Sequence, residues 1–519
     1  MKILNKFSFQ DLFIFDLANN HQGDIEHAMK IIDEVANLVQ KYKLNGAIKF
    51  QFRELSTFIH KDSRDSKENK HIERFLSTEL NPDDFKQLAD YAKLKSLKTI
   101  CTPFDEASVD LIRKLKFDAI KIASCSSKDW PLIEKIASAN LPIVFSTGGL
   151  LIDDIDNLVS FLDHKGSEFG IMHCVSIYPT PPKDCNLVQI SVLKQRYPDK
   201  VIGWSTHEDP NTTEPIQVGY ALGARMFERH VGYETDKYKL NTYSSNPSQL
   251  KKWIESYQKV ITLYGKEERF SNELEISSIN SLSRGVYSKK NFKKGELINH
   301  SDVYFAMPIK EGQLTSGEFK KGIICNDSVN KDAPINNIQI VKPIETKFKS
   351  IKSAIHEIRA MLNKAKIILS SEFEIEVSHH YGIENYREYG ALIITCINRE
   401  YCKKLLVVLP NQKHPNHYHK LKEETFQVLS GTLEITIDGH EKILYPGDCC
   451  LVQPGVFHSF TSKDGCIVEE ISTTHFKDDS FYQDDSINRL EREARKTKVD
   501  HWGRYQMTEE YEKQQIRRD

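Results

Sequence analysis

The sequence lacks the features of a membrane or secreted protein. None of the apolar runs in its 519 residues approaches the roughly 18 to 20 residues that cross a bilayer. Residues 1–9 are too polar and too short for a secretory signal. The ten cysteines are scattered and form no CxxC pair, which argues against a disulfide framework and a zinc ribbon. We therefore expect a soluble, cytoplasmic protein.

Net charge is also nearly absent. The 71 Lys and Arg residues almost balance the 73 Asp and Glu residues, for a formal charge of −2. No overall field would attract nucleic acid or an anionic membrane. The basic run Lys289–Lys294 has one aromatic residue and lies beside Glu296, which is a poor platform for nucleic acid. We expect small-molecule substrates, and a length that suits three domains of about 150 residues each.

The first part of the chain repeats one unit eight times: a short β-branched run, a polar end and an amphipathic helix. The predicted strands are Leu12–Leu17, Gly46–Phe50, Lys98–Thr102, Ala119–Ile122, Pro142–Ser146, Phe169–His173, Val201–Trp204 and Ala224–Phe227. Helical patterns such as Ile25–Lys43 and Pro82–Lys95 lie between them. The order and length predict an α/β domain, a closed (β/α)₈ TIM barrel over residues 1–265. A doubly wound open sheet is the alternative, but no GxGxxG follows the first strand.

The carboxyl ends of these strands, where α/β folds place their chemistry, are polar throughout. They carry two lysines, four hydroxyl residues and two histidines: Lys49, Lys121, Thr102, Ser124, Ser146, Ser205, His207 and His230. Two ammonium groups with several hydroxyl donors suit a phosphate and a carboxylate. The two imidazoles, one βα unit apart, suit Mn²⁺, Co²⁺, Fe²⁺ or Zn²⁺ acting as a Lewis acid. The pattern favours condensation of a phosphorylated enol with an aldehyde.

Eight ordered motifs carry a resemblance to a known family. They are DLANNHQG (Asp16–Gly23), IKFQ (Ile48–Gln51), TPFDEASV (Thr102–Val109), IKIASC (Ile120–Cys125), STGG (Ser146–Gly149), MHCVSIYPTP (Met172–Pro181), IGWSTHE (Ile202–Glu208) and FERHV (Phe227–Val231). Together they resemble the sialic acid synthase family over residues 1–345. That family condenses phosphoenolpyruvate with an aldose, commonly N-acetylmannosamine, to form nine-carbon 3-deoxy-2-keto acids.

The resemblance implies roles for the residues of the barrel mouth. Those expected to hold phosphoenolpyruvate are Lys49, Thr102, Lys121, Ser124, Ser146 and Ser205, while Gln51 and Tyr178 would face the acceptor. His207 and His230 would hold Mn²⁺ or Mg²⁺. The enol carbon would add to the aldehyde, water would capture C2, and phosphate would leave by C–O cleavage. Asp16, where the family has Glu, would manage the protons.

Two departures from the family concern the acceptor. The stretch KYKLNTYSSNP, residues 237–247, replaces a Gly-Pro-Asp-like sequence whose carboxylate meets the sugar, and Leu240 or Asn241 takes that place. Met307 stands where the family has an Arg that contacts the N-acetyl group. We therefore expect an acceptor other than ordinary N-acetylmannosamine, for example a non-acetylated or a phosphorylated aldose.

The middle of the chain, residues 275–345, has short apolar runs broken by the turn sequences KKGE and KDAP. It resembles the antifreeze-like (SAF) domain that follows the barrel in sialic acid synthases. That domain covers the barrel of the partner subunit in the family. The resemblance therefore implies a homodimer.

Residues 350–475 are nearly all β-patterned and resemble the two-motif cupin family. His417, His419 and Glu424 have the spacing HxHx₄E, and His458 follows later; this set suits Fe²⁺, Mn²⁺, Ni²⁺ or Zn²⁺. Because metal-dependent cupins include sugar isomerases, the domain is interpreted as an isomerase of the acceptor, with a non-catalytic sugar-binding module on a scaffold barrel as the alternative. Lys420 and Lys422 are interpreted as solvated. Residues 476–519 are predicted to be a charged helical tail that packs Trp502 and Tyr505 on the cupin.

Overall fold

A computed structural model describes residues 7–65, 68–267, 269–320, 322–336, 338–340, 346–370, 373–499 and 516–517. The chain forms two compact units, Met1–Phe270 and Ser271–Asp519. Within the described ranges, no helix has the length and hydropathy of a membrane span.

The first unit is a closed barrel of eight parallel strands, in which each strand pairs with the next and β8 pairs with β1. The strands are β1 Leu12–Asp16, β2 Asn45–Phe52, β3 Lys98–Pro103, β4 Ala119–Ile122, β5 Ile143–Ser146, β6 Phe169–Cys174, β7 Ile202–Thr206 and β8 Met226–His230. The predicted barrel is confirmed. Its last strand was predicted too early, because pairing with β1 continues until His230 lies opposite Asp16.

In the described residues of this unit, ten helices accompany the strands. They are α1 Ile25–Tyr42, α2 Leu55–Phe58, α3 Lys70–Ser77, α4 Pro82–Leu94, α5 Glu106–Lys114, α6 Trp130–Ser138, α7 Ile152–His164, α8 Val188–Arg196, α9 Glu214–Ala221 and α10 Pro247–Tyr264. Capping residues in the sequence mark the ends of these helices. Asn81 caps α4 through the backbone N–H groups of Asp83 and Asp84, and Pro82 fills the first helical turn, where it loses no hydrogen bond.

Alternation along the strands divides the barrel interior into two layers. The amino-terminal halves supply an apolar floor, which contains Leu12, Ile14, Ala47, Ile100, Ala119, Val144, Met172 and Met226. The next inward positions are polar, such as Asp16 after Ile14 and Lys49 after Ala47. Outward-facing residues such as Phe13 and Phe15 pack in the larger core that includes the helices. The floor therefore supports a polar mouth at the carboxyl ends of the strands.

The second unit begins with α11 Glu273–Leu282 and a small β-rich module. Its strands are β9 Gly285–Ser288, β10 Leu297–Ile298, β11 Val303–Ala306, β12 Ile323–Cys325 and β13 Ile338–Ile340, in two sheets of order β11-β9 and β10-β12-β13. A compact core includes Val286, Phe292 and Ile323. Short strands and a small core are in keeping with the expected SAF domain, an assignment that stays a prediction.

After α12 Thr346–Lys364, two antiparallel sheets form the predicted cupin. Their strands are β14 Ile375–Ser378, β15 Ala391–Asn398, β16 Tyr401–Val408, β17 Lys413–Tyr418, β18 Glu424–Gly431, β19 Leu433–Ile437, β20 His440–Leu444, β21 Cys449–Val452, β22 His458–Thr461, β23 Cys466–Thr473 and β24 Phe481–Tyr482. One sheet contains β14, β15, β16, β18, β21 and β23, and the other contains β17, β19, β20, β22 and β24. The cupin fold predicted from the sequence is confirmed.

The described part of the tail, residues 476–499 and 516–517, departs from the helical prediction. It contains two four-residue helices, α13 Asp485–Asn488 and α14 Arg492–Arg495, and the strands β25 Lys496–Val499 and β26 Ile516–Arg517. Strand β25 pairs with β14 and buries Thr497 and Val499, so sheet pairing outweighs the helical propensity of its charged sequence. Trp502 and Tyr505 lie outside the described residues.

Candidate active site and metal centre

Two lysines and one glutamate form a buried ion-pair network at the barrel mouth. Lys49 Nζ lies 3.2 Å from Glu228 Oε1, and Lys121 Nζ lies 3.0 Å from Glu228 Oε2. All three side chains are at most 5% exposed. Glu228 therefore holds both ammonium groups close together in a low-dielectric site, ready for an anion with more than one charge.

The network changes the proton affinities of its members. Burial lowers the pKa of Lys49, but the charges of Asp16 and Glu228 outweigh burial and raise it above its usual value. Burial lowers the pKa of Lys121, and the neighbouring Lys49 lowers it further. Burial raises the pKa of Glu228, yet Lys121 and Lys49 together bring it well below normal. Glu228 is therefore ionised at neutral pH.

The predicted hydroxyl residues surround this network. Ser205 Oγ donates a hydrogen bond of 3.1 Å to Glu228, and Ser124 Oγ accepts one of 3.0 Å from the backbone N–H of Gly148. Thr102 and Ser146 are buried, at 1% and 3% exposure. Thr102 Oγ1 has no hydrogen-bond partner among the described residues. An unpaired buried hydroxyl is costly, so Thr102 is well placed to donate to a ligand oxygen.

The Asp16 carboxylate contacts both a lysine and a histidine of the site. Its Oδ2 atom lies 2.9 Å from Lys49 Nζ and 3.4 Å from His230 Nδ1, and it accepts a hydrogen bond of 3.2 Å from Gln51 Nε2. Its Oδ1 atom accepts one of 2.9 Å from the backbone N–H of Ala18. The shorter side chain thus still touches both predicted halves of the site, although the family has Glu at this place.

His207 and His230 are brought together as the sequence predicted. Their ring centroids are 5.2 Å apart, and both residues are at most 8% exposed. His207 Nδ1 contacts the carbonyl oxygen of Val175 at 3.0 Å, whereas His230 Nδ1 has no hydrogen-bond partner among the described residues. Burial and the nearby His207 lower the pKa of His230 to about 4. Neutral imidazole nitrogens beside the Asp16 carboxylate fit a divalent metal ion with open positions for substrate.

Aromatic rings cover the histidines. The ring of Tyr178 lies 4.2 Å from that of His207 and 5.2 Å from that of Tyr243, which itself lies 5.2 Å from His230. Tyr178 is 52% exposed, so it lies at the entrance. Its role on the acceptor side stays a prediction.

The two residues that depart from the family after the last barrel strand have structural roles. Asn241 Oδ1 accepts hydrogen bonds from the backbone N–H groups of Tyr243 and Ser244, which makes a tight turn. The Leu240 side chain packs against Gly232, where an added Cβ would lie 2.4 Å from it. Met307 belongs to the second unit and is 58% exposed. Neither Leu240 nor Met307 offers a polar group to a sugar.

The cupin brings three imidazoles to one point. His417 at the end of β17, His419 just after it and His458 at the start of β22 have donor atoms within 4.8 Å of one another. Each Nδ1 atom lies against a backbone carbonyl oxygen: Pro415 for His417, Asp479 for His419 and Val456 for His458. Each Nδ1 therefore carries the hydrogen, and each Nε2 presents a lone pair to the interior.

Glu424 faces the same point from β18. Its carboxylate oxygens lie 3.4 Å from His419 Nε2 and 3.1 Å from His458 Nε2. Burial lowers the pKa of His419 to about 4 and that of His417 well below its usual value, so these rings are neutral at pH 7. Lone pairs that face a carboxylate repel it unless a cation lies between them. The predicted set of three histidines and one glutamate therefore fits a divalent metal ion.

Lys422 corrects a prediction, because it is buried and not solvated. Its Nζ atom is in contact with Glu424 and lies 3.1 Å from Glu470 Oε1. Lys404 Nζ lies 3.3 Å from the same Glu470 oxygen. This second polar cluster borders the metal ligands in a cavity of about 50 Å³. Lys420 Nζ, by contrast, lies 4.2 Å from the ring centroid of Phe481.

Sequence reasoning missed two residues of the barrel mouth. Glu228 lies two positions before His230 on β8, so strand alternation alone would have placed both on the inner face. Cys174 at the end of β6 lies beside His207; burial raises the pKa of its thiol, but the hydrogen bond with His207 brings it below normal. No motif spacing pointed to Cys174.

Comparisons with known proteins match both parts of the chain. The sequence pattern of the NeuB family matches residues 39–269, and that of the cupin domain matches residues 404–468. An uncharacterized protein of Methanocaldococcus jannaschii is 32% identical over 293 residues, which is 56% of this chain and 82% of that protein. The N-acetylneuraminate-9-phosphate synthase of Drosophila melanogaster is 28% identical over 359 residues, 63% of this chain and 95% of that enzyme.

Among solved structures, a protein from Chromobacterium violaceum named for spore coat polysaccharide biosynthesis is 41% identical, with a TM-score of 0.59. The match covers 63% of this chain and 99% of that structure. The chain belongs to the NeuB family, with a cupin domain after the family region. The family predicted from the eight motifs is confirmed.

Proposed function

We propose that the barrel condenses phosphoenolpyruvate with an aldose, forms a 2-keto-3-deoxy sugar acid of the nonulosonate type and releases phosphate. The observation that carries this proposal is the network of Lys49, Lys121 and Glu228 beside the histidine pair. It places two cations where an anion of high charge can bind, next to donors for a Lewis acid. The name of the Drosophila relative supports the same class of reaction.

Each residue of the mouth has a part in this chemistry. Lys49 and Lys121 bind the phosphate and carboxylate of phosphoenolpyruvate, and hydroxyl groups complete the anion site: Thr102, Ser124, Ser146 and Ser205. His207 and His230 would hold Mn²⁺ or Mg²⁺, which polarises the aldehyde when bound. Asp16 takes the proton of the water that attacks C2, because its carboxylate lies against Lys49 Nζ and on the histidine side of the site. Gln51 and Tyr178 orient the acceptor.

The acceptor is proposed to differ from N-acetylmannosamine. Leu240 or Asn241 stands where the family is expected to place a carboxylate, and Met307 stands where it is expected to place a guanidinium. A hydrogen-bonding group removed from a site changes selectivity by much more than a change of size does. Within this proposal the acceptor is a non-acetylated or a phosphorylated aldose, and the product serves surface polysaccharide.

The direct test is release of phosphate from phosphoenolpyruvate in the presence of Mn²⁺ and a panel of aldoses. The panel contains N-acetylmannosamine, other hexosamines, free hexoses and their 6-phosphates. We expect release with one aldose and a loss of release in His207→Ala. If the full-length protein releases no phosphate with any member, the proposed activity is wrong and the barrel is a scaffold for the cupin.

We propose that the cupin binds one divalent ion, of Fe²⁺, Mn²⁺, Ni²⁺ or Zn²⁺, and acts as a sugar isomerase that supplies the acceptor. The three convergent Nε2 atoms support the metal, and the second cluster of Lys404, Lys422 and Glu470 supports a polar ligand beside it. A non-catalytic sugar-binding module is the other candidate. Ketose-to-aldose conversion that is lost in His417→Ala favours the isomerase, whereas sugar binding without conversion under every metal favours the module.

We also propose a cytoplasmic homodimer in which residues 275–345 act as an SAF domain over the barrel of the partner. The small β-rich module and its compact core support this assignment. Light scattering of the full-length protein tests it: a dimer is expected, and a monomer at micromolar concentration under assay conditions would contradict it.

A further inference from the structure

Arg53 directly follows strand β2 and is clamped in place beside the barrel mouth. Its guanidinium carbon lies 4.0 Å from the ring centroid of Phe75 and 3.7 Å from that of Phe104. Its Nη2 atom donates a hydrogen bond of 3.0 Å to Gln51 Oε1. Two aromatic faces and one amide thus fix the plane of the guanidinium before any ligand arrives.

Among the described residues, no carboxylate forms an ion pair with this guanidinium. No Asp or Glu oxygen of the described residues lies within the 4.0 Å that defines an ion pair with it, and its Nε atom is buried without a hydrogen-bond partner. Burial lowers the pKa of Arg53 to about 10, so the group stays charged at neutral pH. A buried charge that lacks a partner is destabilising, and such an arrangement is typical of a group kept for a ligand.

A cavity of about 440 Å³ opens at Arg53. Its lining includes His60, Asn69 and His71 together with the apolar rings of Phe58 and Phe104. The volume lies within the range of small-molecule pockets. A lining that combines nitrogen donors with aromatic rings suits a polar group with several oxygen atoms on a sugar-sized body.

The cavity is linked to the reacting end of the site by direct contacts. Arg53 donates to Gln51, Gln51 donates to Asp16, and Asp16 lies 3.4 Å from His230. An acceptor whose aldehyde lies at the histidines and whose body passes Gln51 therefore has its far end at the guanidinium. Lys49, one of the two lysines proposed to bind phosphoenolpyruvate, contacts the same Asp16 oxygen at 2.9 Å.

We propose that Arg53 is a specificity-determining residue that binds an anionic group, a phosphate ester or a carboxylate, at the far end of the acceptor aldose. The inference rests on the proposed function in that it takes the barrel ligand to be an aldose. A planar guanidinium with free N–H groups pairs with either anion through two parallel hydrogen bonds. The acceptor class is then an aldose phosphate or a uronic acid.

The inference is tested by calorimetric titration of sugars into the full-length protein in the presence of Mn²⁺ and phosphoenolpyruvate. The His207→Ala variant is used as the background, so that binding is measured without turnover. The probes are mannose, glucose and N-acetylmannosamine, their 6-phosphates, mannuronate and glucuronate. At least one anionic sugar is expected to bind about tenfold or more tighter than its neutral counterpart, as one charge-assisted pair contributes. Phosphates and uronates in separate titrations distinguish the two sources of charge.

Arg53→Met is expected to remove this preference while the affinity for phosphoenolpyruvate stays unchanged. Arg53→Lys keeps the charge without the planar fork and should retain part of the preference, which also guards against misfolding of the first variant. Lys61→Met removes an exposed positive charge from the same segment and should change nothing. Equal binding of anionic and neutral sugars, or a preference that survives Arg53→Met, would overturn the inference. A preference that depends on Arg53 in a protein that never releases phosphate would instead refute the proposed condensation.

Discussion

The barrel mouth and the cupin interior both bury many polar side chains, but they balance charge in opposite ways. In the barrel, Lys49 and Lys121 alternate with Asp16 and Glu228, which hold the two ammonium groups close together. In the cupin, imidazole Nε2 atoms and the Glu424 carboxylate face one point. The barrel site is therefore suited to bind anions, and the cupin site is suited to bind a cation. A change in one site should therefore leave the other intact.

The largest expected effect is that of Lys121→Met on the barrel. This change removes the more deeply buried ammonium group from the anion site, while Glu228 keeps Lys49 as its partner. We expect phosphate release to fall by about 10² to 10³, as for the loss of one electrostatic contact in an active site. Turnover measured with saturating aldose, alongside metal content, checks this. Unchanged turnover would contradict a role for Lys121 in the anion site, and loss of the cupin metal would contradict independent sites.

His417→Ala tests the proposed metal site of the cupin. The cupin should lose about 100-fold or more in metal affinity, because one of three imidazole ligands is gone. Metal analysis after dialysis should show one equivalent fewer than in the wild-type protein, and phosphate release from supplied aldose should stay the same. His356→Ala, which changes an exposed histidine on α12, is the matched control. A parallel fall in barrel turnover would contradict independent sites.

Glu228→Gln sharpens the role of the residue that joins the two lysines. The isosteric change leaves Lys49 with Asp16 and Lys121 without an anion. We expect about 3 kcal/mol less stability, as for a broken buried pair. The pKa of Lys121, already lowered by burial, should fall further, so turnover is lost at lower pH than in the wild type. Denaturant unfolding measures the loss of stability, and the pH profile of turnover measures the shift in the pKa of Lys121. If turnover falls at the same basic pH in the variant and the wild type, Glu228 does not control the pKa of Lys121.

How far the sequence predicts the molecule depends on the range of the contacts involved. The eight barrel strands were predictable because a short β-branched run, its polar end and the helical pattern that follows are local signals, and the site histidines follow from their positions at strand ends. Lys422 was not predictable, since its burial depends on Glu470, 48 residues further along the chain. Likewise, the clamp of Arg53 needs Phe75 and Phe104 from separate segments.

The structure of the tail also depends on contacts between residues far apart in the sequence. Strand β25 is recruited by β14, more than a hundred residues earlier, through pairs such as Val377 with Thr497. Glu376 joins the two strands, because it contacts Lys496 at 2.6 Å and Arg492 at 3.0 Å. A charged sequence with helical propensity gives no local sign of such a partner. Only the tertiary arrangement decides its structure.

The smallest and most local effect concerns this tail. Burial raises the pKa of Glu376, but Lys496 and Arg492 lower it to about 2, against a normal value of 4.5. The folded form thus binds the proton less well than the unfolded form. The stabilisation, about 3 kcal/mol at most, is therefore full above pH 4.5 and is lost as the pH falls toward 2.

Unfolding of wild type and Glu376→Gln from pH 3 to pH 7 measures this contribution. The difference in free energy between the two proteins should shrink as the pH falls below 4.5. A difference that does not depend on pH would show that the carboxylate charge is not the cause. Glu374→Gln, which removes the nearby and more exposed partner of Lys498, is the matched control with a smaller expected effect.

The central claim is that the barrel forms a carbon–carbon bond and then expels phosphate by C–O cleavage. The most direct measurement uses phosphoenolpyruvate labelled with ¹⁸O in the bridging position, the productive aldose and Mn²⁺, with mass analysis of the released phosphate. We expect the phosphate to keep the label and its release to depend on the aldose. Unlabelled phosphate would mean that the P–O bond is cleaved, and release without any aldose would mean hydrolysis of phosphoenolpyruvate; either result would contradict the condensation.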